Sequence, residues 1–323
     1  MLTHIARLQD DRIRIESRDT PTPQPGPQQL LIRVRAAGLN RGELMTLRAR
    51  PAGSESVLGI EAAGEVVQAG TDAQAFQPGA RVMGRCRAAF AEYALMDMHD
   101  AMPVPQRLSW AQAAAIPIAT MVVYDMLVAQ GRLSAGQWLL ITGVSSGVGV
   151  VALQLAKALG ARVIGTSGSA DKLARLRTLG LDVGVQTRAG DFHDAVMAAT
   201  DGLGVNLVVN IAGGSVFAEC IRSLAFEGRL ATVGYMDGQL ESRIDLAALH
   251  ARRLTLFGVS SKGLSPQQRQ RIVQGVIDQV LPLHADGRLA PVIDQVFPFN
   301  ALEDGIARME SNAQLGKLVV AEA

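Results

Sequence analysis

The stretch Trp138-Leu-Leu-Ile-Thr-Gly-Val-Ser-Ser-Gly-Val-Gly149 decides the fold of this chain. Its apolar start reads as a buried strand, its glycines as a turn, and its end as the first turn of a helix. Gly143, Gly147 and Gly149 give the spacing GxxxGxG, a variant of the dinucleotide fingerprint. Glycine suits such a turn because it tolerates positive φ and lets the backbone approach a pyrophosphate closely. The following helix would aim its free amides at the phosphates. Val148, Val151, Ala152, Leu155 and Leu159 form its apolar inner face. Arg162-Val-Ile-Gly165 then supplies the second strand of a βαβ unit. Glycines that merely make a tight turn would spell the same letters, and it is the strand–helix–strand context that favours the dinucleotide reading.

Composition sets the outer bounds. A length of 323 residues suggests two domains, and 48% hydrophobic with 19% charged residues describes a globular protein with a large core. A formal net charge of +1 gives no electrostatic case for nucleic acid or an anionic membrane. No apolar run approaches the ~20 residues of a spanning helix, and the start of the chain has no signal-peptide pattern. The two cysteines, Cys86 and Cys220, are too few for a disulfide framework and read as packing residues. A reduced, cytoplasmic compartment is the expectation.

Around the deciding stretch, two regimes alternate. Residues 1 to about 110 are β-rich, with Leu30–Arg35 and Gly64–Val67 as strands and Pro21–Pro27 as a turn region. From about Ala111 onward, strands and helices alternate: a helical run 110–129 interrupted at Pro117, strand 138–142, helix 148–159, strand 162–165, helix 171–179, then strands 205–210, 228–234 and 254–258. That alternation predicts a doubly wound parallel sheet of Rossmann type, in an α/β protein. A helix over 266–281 and a β-rich tail return to the first domain. The expected domains are 1–115 together with 262–323, and 116–261.

Further landmarks stand in order along the chain: Ala36-Ala-Gly-Leu-Asn40, Gly59-Ile-Glu-Ala-Ala-Gly64, Pro78-Gly-Ala-Arg-Val-Met-Gly84, Phe90-Ala-Glu-Tyr93, the glycine turn, Gly213-Gly214, Gly228-Arg-Leu230 and Gly316-Lys-Leu-Val-Val320. On these the chain resembles the medium-chain dehydrogenase/reductases, in particular the zinc-independent, ζ-crystallin-like quinone oxidoreductase branch. The resemblance implies a GroES-like β-rich catalytic domain beside the Rossmann domain, and a homodimer joined through an edge strand, for which Leu254–Phe257 is the candidate. Zinc-containing relatives place a Cys near position 39 and a His within Gly-His-Glu; here Leu39 and Ile60 stand there. Five histidines without ligand spacing and two cysteines cannot build the family's zinc sites, so no metal is expected. Without a Lewis acid to stabilise an alkoxide, the accessible chemistry is hydride donation to an electrophilic acceptor.

NAD-specific sites carry an acid at the end of the second strand. Here that place reads Gly165-Thr166-Ser167-Gly168, which admits NADPH. Lys172, behind Ser169 as N-cap, matches the family's 2′-phosphate lysine, and Arg188 is a second candidate. The other expected cofactor contacts are Thr142, Gly143, Ser145, Ser146, Gly147, Val148, Gly149, Asn210, Gly234, Tyr235, Gly258, Val259, Ser260 and Lys317. On the acceptor side Asn40 is the best-matched polar residue, able to donate to a carbonyl, to hold the nicotinamide ribose, or simply to cap a turn. Tyr235 reads as a wall of the pocket and, with Asn40, is a catalytic candidate. Glu61 reads as a buried hydrogen-bond anchor, Tyr93 as a strand residue, His99 as a surface-loop residue, and Val122 replaces a common threonine. Arg48, Arg50, Arg85 and Arg87 read as solvated surface.

Three functions compete. The first is an NADPH-dependent quinone reductase. The second is an enone or enoyl (2-alkenal or enoyl-thioester) reductase. The third is a non-catalytic NADPH-binding sensor or crystallin-like protein. Nucleic acid and membrane partners are not expected.

Overall fold

The computed structural model describes residues 1–10, 12–51, 53–261 and 263–322. The chain divides into two units, residues 1–119 with 265–323, and residues 120–264. The sequence placed the first boundary at 115/116, a few residues early; in the structure Ile118 is tied to the first unit through its amide, which donates to Glu61. Lys262, where the second boundary was expected, lies outside the described residues.

The first unit begins with β1 (Leu2–Gln9), β2 (Arg12–Asp19), β3 (Gln29–Gly38), β4 (Glu55–Val57), β5 (Glu61–Ala69), β6 (Arg81–Arg87) and β7 (Tyr93–Pro103). Strands β2, β1 and β4 form a small antiparallel sheet. Around β3, β5, β6 and β7 the pairing closes on itself, because β3 bonds to both β5 and β7. Closure removes the exposed edge and encloses Leu30, Ile32, Val34, Ala62, Val66, Val82 and Met96, all essentially inaccessible. The expected strands were too short: β3 runs on through Ala36–Gly38 and β5 starts at Glu61, in continuously buried runs that lack the alternation by which a strand is recognised.

The second unit carries β8 (Trp138–Thr142), β9 (Arg162–Ser167), β10 (Val183–Gln186), β11 (Val205–Asn210), β12 (Leu224–Thr232) and β13 (Thr255–Gly258). They form one parallel sheet in the order β10-β9-β8-β11-β12-β13, which bears out the doubly wound parallel sheet predicted and gives its strand order. Leu139, Leu140 and Ile141 are fully buried in sequence, as a strand covered on both faces requires. Strand β10 escaped the sequence reading because its four residues, Val183-Gly-Val-Gln186, hold only two apolar side chains. Strand β12 starts earlier than expected and passes through Glu227 at φ +55.

After the second unit, the helix Pro266–Gln279 ends and a separate helix, Leu281–Asp286, begins. The single helix expected over 266–281 breaks because Pro282 lacks the N–H a continuing helix needs. Strands β14 (Ile293–Pro298) and β15 (Lys317–Ala321) then return to the first unit, β15 pairing with β3. This return brings Lys317 beside residues near position 40 and position 61.

Candidate functional site

In the second unit, the topological switch falls between β8 and β11, where the chain leaves the sheet in opposite directions. Gly143 follows β8 at φ +68, a conformation that costs glycine little. Its amide donates to Thr166 Oγ1 (3.2 Å), and Val144 N donates to Thr166 O (3.0 Å). Ser146 caps the helix Gly147–Ala158, its hydroxyl accepting from Gly149 N at 3.1 Å. A Cβ on Gly149 would stand 2.7 Å from the carbonyls of Gly143 and Val144, so glycine is needed for helix and turn to close together. The amides of Gly147 and Val148 lie in the first turn, where no intrahelical acceptor exists. Two such donors at the positive end of a three-turn helix fit a pyrophosphate.

Thr166 and Ser167, at the end of β9, are buried, and Ser145 Oγ lies 3.3 Å from Ser167 Oγ. Ser169 caps the helix Ala170–Arg177 by accepting from Lys172 N at 3.3 Å, the N-cap the sequence predicted. Arg188 lies over Gly168 so closely that a Cβ there would collide with its Nε. Glycine at 168 therefore makes room for the Arg188 side chain. No acidic side chain stands at this strand end; the nearest in sequence, Asp171, is in the following helix.

At the end of β11, Asn210 is wholly buried and fully engaged. Its Oδ1 accepts from Thr142 Oγ1 (3.1 Å) and Gly213 N (3.1 Å), and its Nδ2 donates to Gly213 O (2.9 Å). Thr142 Oγ1 in turn accepts from Ile211 N (3.0 Å) and Ala212 N (3.2 Å). These two residues, expected as cofactor contacts, shape the 210–213 turn with their own polar atoms. Asp237 fixes the next segment by accepting from Ser215 N at 2.8 Å and Gln239 N at 2.9 Å. Gly234 and Tyr235 follow β12, with Tyr235 47% exposed. Gly258, Val259 and Ser260 leave β13, and Val259 N is bonded to Thr232 O (2.9 Å).

The first unit holds a buried polar network that the sequence reading only partly found. Lys317 Nζ donates to Glu61 Oε1 (2.5 Å), Asn40 Oδ1 (2.9 Å) and Leu39 O (3.1 Å). Glu61 Oε1 also accepts from Asn40 Nδ2 (2.9 Å), and Glu61 Oε2 from Ile118 N (2.8 Å). Glu61 has no exposed surface, and the expectation of a buried anchor describes its geometry. Lys317, expected at the cofactor, instead has all three ammonium donors committed within this network. Asn40 makes no cap hydrogen bond, although it occupies the N-cap of helix Arg41–Arg48; its turn-capping role is excluded because its amide is turned toward Glu61 and Lys317.

Glu43 was missed. It is 8% exposed, and its Oε2 accepts from Gly59 N (2.5 Å) while its Oε1 lies 3.4 Å from Asn40 Nδ2. Burial pushes its carboxyl up to about 7, and Glu61 adds to the rise, against the opposing pull of the Gly59 amide, Asn40 and Lys317. The signal was present: Asn40-x-x-Glu43 has the spacing of a capping pair, yet neither side chain caps.

Other residues take simpler places. Cys86 and Cys220 are fully buried, which pushes their thiols upward and leaves them un-ionised. Tyr93 begins β7, as expected. His99 belongs to the same strand and is half-buried, not in a surface loop, because β7 runs on to Pro103. Arg48 pairs with Glu310, and Arg85 lies 3.7 Å from the buried Asp100, so these two are not simply solvated. Among the described residues no group of three or more His, Cys, Asp or Glu is arranged to hold a metal ion. No helix among them is long and apolar enough to cross a membrane.

Comparison with known proteins gives two family matches: the alcohol dehydrogenase GroES-like domain over residues 26–106, and zinc-binding dehydrogenase over residues 147–278. The chain is 29% identical over 92% of its length to a phenolphthiocerol/phthiocerol polyketide synthase polypeptide of Mycobacterium tuberculosis, but spans only 14% of that much longer relative. It is 27% identical to quinone oxidoreductase-like protein 2 of Bos taurus, covering 93% of this chain and 87% of that one. Among solved structures, an NAD-dependent alcohol dehydrogenase superposes with a TM-score of 0.85 at 28% identity over the whole of both chains. A mycobacterial protein solved with NADPH superposes with a TM-score of 0.88 over 99% of each chain, at 23% identity, a likeness of fold.

Proposed function

This chain belongs to the medium-chain dehydrogenase/reductase superfamily, in its quinone oxidoreductase branch, and from that premise we propose that it is an NADPH-dependent, zinc-independent reductase that passes hydride to a quinone. The observation that carries the cofactor choice is the end of β9. Ser167 and Gly168 stand where an acid would select NADH, and Arg188 lies across Gly168. A carboxylate there would repel a 2′-phosphate, whereas guanidinium, ammonium and hydroxyl groups attract one.

Bound NADPH would supply the hydride through its nicotinamide. The chain's own residues would bind and orient it. Gly147 and Val148 amides take the pyrophosphate, next to Gly143, Ser146 and Gly149. Ser145, Thr166, Ser167, Lys172 and Arg188 surround the 2′-phosphate. Gly234, Tyr235, Gly258, Val259 and Ser260, at the carboxyl ends of β12 and β13, take the nicotinamide end through backbone groups, while Thr142 and Asn210 hold the turn beside it. In the first unit, Asn40 offers an amide hydrogen to the acceptor's carbonyl oxygen, where negative charge develops. No general acid is assigned; the proton comes from solvent. Leu39 and Ile60 offer no metal donor atom, so the reading needs no zinc.

A second acceptor class has its own support. The polyketide synthase relative aligns with 92% of this chain, which favours reduction of an enoyl thioester. Among the described residues strand β13 has β12 as its one hydrogen-bonded neighbour and offers its other edge to a second copy in a homodimer. A cytoplasmic location goes with this reading.

The test is oxidation of NADPH and of NADH against 1,4-quinones, enones and enoyl thioesters. Quinone-dependent turnover preferring NADPH is expected. Turnover with conjugated carbonyls alone moves the assignment to an enoyl reductase. NADPH binding without turnover on any acceptor overturns both in favour of a binding protein.

A further inference from the structure

The buried network of the first unit has an unequal charge count. Two carboxylates, Glu43 and Glu61, share one ammonium, that of Lys317, and the ammonium lies against Glu61. Glu61 accepts from three donors, Asn40, Ile118 and Lys317. Glu43 receives one strong donor, Gly59 N, and a distant one, Asn40 Nδ2 at 3.4 Å. The Gly59 amide is brought there by a backbone at φ +98, with so little room that a Cβ would stand 2.6 Å from Ala89 N. The helix beginning at Arg41 also forgoes its N-cap, a feature generally worth ~1 kcal/mol, so that Asn40 can face these carboxylates. Local rules broken in this way tend to mark functional positions.

The Asn40 carboxamide is the joint between the two acids. Its Oδ1 is fixed by Lys317 and one Nδ2 hydrogen by Glu61 Oε1. Its second hydrogen is loosely held, for Nδ2 lies 3.4 Å from both Glu43 Oε1 and Gly38 O. We propose that Glu43 is a positioning residue whose proton governs that second hydrogen. With the proton on, Glu43 is a weak acceptor and the amide hydrogen is available to another oxygen. With the proton off, the excess carboxylate draws the hydrogen onto itself. The proton exchanges with solvent, and no other bond changes.

The surroundings support a titrating Glu43. The charged or titratable groups that act on it are Glu61 from β5 and Lys317 from β15, and Cys86 of β6 feels its charge. Burial keeps the Cys86 thiol protonated. Burial places the Glu43 transition near neutrality, about 7.

The consequence for catalysis rests on the reading of Asn40 as donor to the acceptor oxygen; the inference about the network does not. The experiment follows the Asn40 side-chain amide by NMR with selectively labelled asparagine, assigned by Asn40→Asp, from pH 6 to 8.5, in the wild type and in Glu43→Gln. The wild-type amide resonance should move along a single titration near pH 7, and the variant's should stay fixed. An amide that does not titrate, or titrates equally in Glu43→Gln, overturns the inference. In parallel, the wild-type acceptor kcat/KM should fall about fivefold across that range, about 1 kcal/mol at 1.36 kcal/mol per tenfold, and Glu43→Gln should hold the low-pH rate throughout. If the amide titrates and this limb is absent, the acceptor role of Asn40 fails and the network inference stands. Glu43→Asp should shift the midpoint, separating ionisation from loss of packing.

Discussion

Lys317→Met tests the central claim about the first unit, that a single buried ammonium holds Glu61 in place. Methionine keeps most of the apolar stem and removes the charge. Glu61, with no exposed surface, would retain donors from Asn40 at 2.9 Å and Ile118 at 2.8 Å but lose its only counter-charge in the network. Removing one partner of a buried ion pair generally costs about 3–5 kcal/mol, because the remaining charge stays desolvated. Against a typical total of ~5–15 kcal/mol, that is a large share of the unit's stability. For a domain of 150–250 residues it corresponds to a fall in Tm of roughly 6–20 °C. Trp110 lies in the first unit and Trp138 in the second, each 4.4 Å under an arginine, so single-tryptophan versions report the units separately in thermal and urea unfolding. The transition seen by Trp110 should drop and that seen by Trp138 should not. Adding Glu61→Gln removes the stranded charge and should recover at least ~2 kcal/mol. A single-variant loss under ~1 kcal/mol, or a double variant as costly as the two singles summed, would refute the argument.

Three further outcomes are expected. Gly168→Ala should leave Tm nearly unchanged, since only a flexible arginine need move, yet raise the KM for NADPH about tenfold by displacing Arg188, with little effect on NADH; Lys172→Ala should discriminate the same way, and equal effects on both cofactors in steady-state assays would remove the 2′-phosphate assignment. Asn210→Ala strands Thr142 Oγ1 and two loop groups and should cost about 2–3 kcal/mol in urea unfolding, with weaker binding of either cofactor measured by calorimetry. His284 is 1% exposed, neither ring nitrogen has a partner within normal hydrogen-bond geometry, and burial holds its pKa down at about 4, more than the nearby Leu289 backbone offsets. The folded state therefore binds fewer protons than the unfolded chain between about pH 6.5 and 4, so stability is full above that interval and lost as pH falls through it, by up to ~3 kcal/mol. His284→Leu should flatten this acid limb in Tm measured from pH 7 to 4; an unchanged limb would place the acid sensitivity elsewhere.

The second unit was largely legible in the sequence, and the first much less so. The uninterrupted apolar run of β8, the positive-φ demand at Gly143 and the serine N-cap at 169 are signals read within a few residues, since helix periodicity, turn geometry and capping are local physics. They determined the parallel sheet and the glycine turn that opens the helix after β8. Their limits were local too. Strand β10 has too few apolar side chains to announce itself, and the bonds by which Thr142 holds Asn210 and the 210–213 turn join residues far apart in the chain.

The first unit's network is a different case. Asn40-x-x-Glu43 and Glu61 were visible, and the first pair spells a helix cap. Only the closing of β3 against β5, and the return of β15 against β3, bring Lys317 to Glu61 across 256 residues and to Asn40 across 277. Once that ammonium is present, two buried carboxylates compete for it, and the carboxamide turns inward instead of capping. The sequence by itself determined which backbone turns could form, among them the glycine turn after β8 and the helix N-terminus that follows it. Which side chains would be desolvated together, and hence which carboxyl would keep its proton, depended on long-range strand pairing, because burial and charge pairing are properties of the packed molecule and not of any segment.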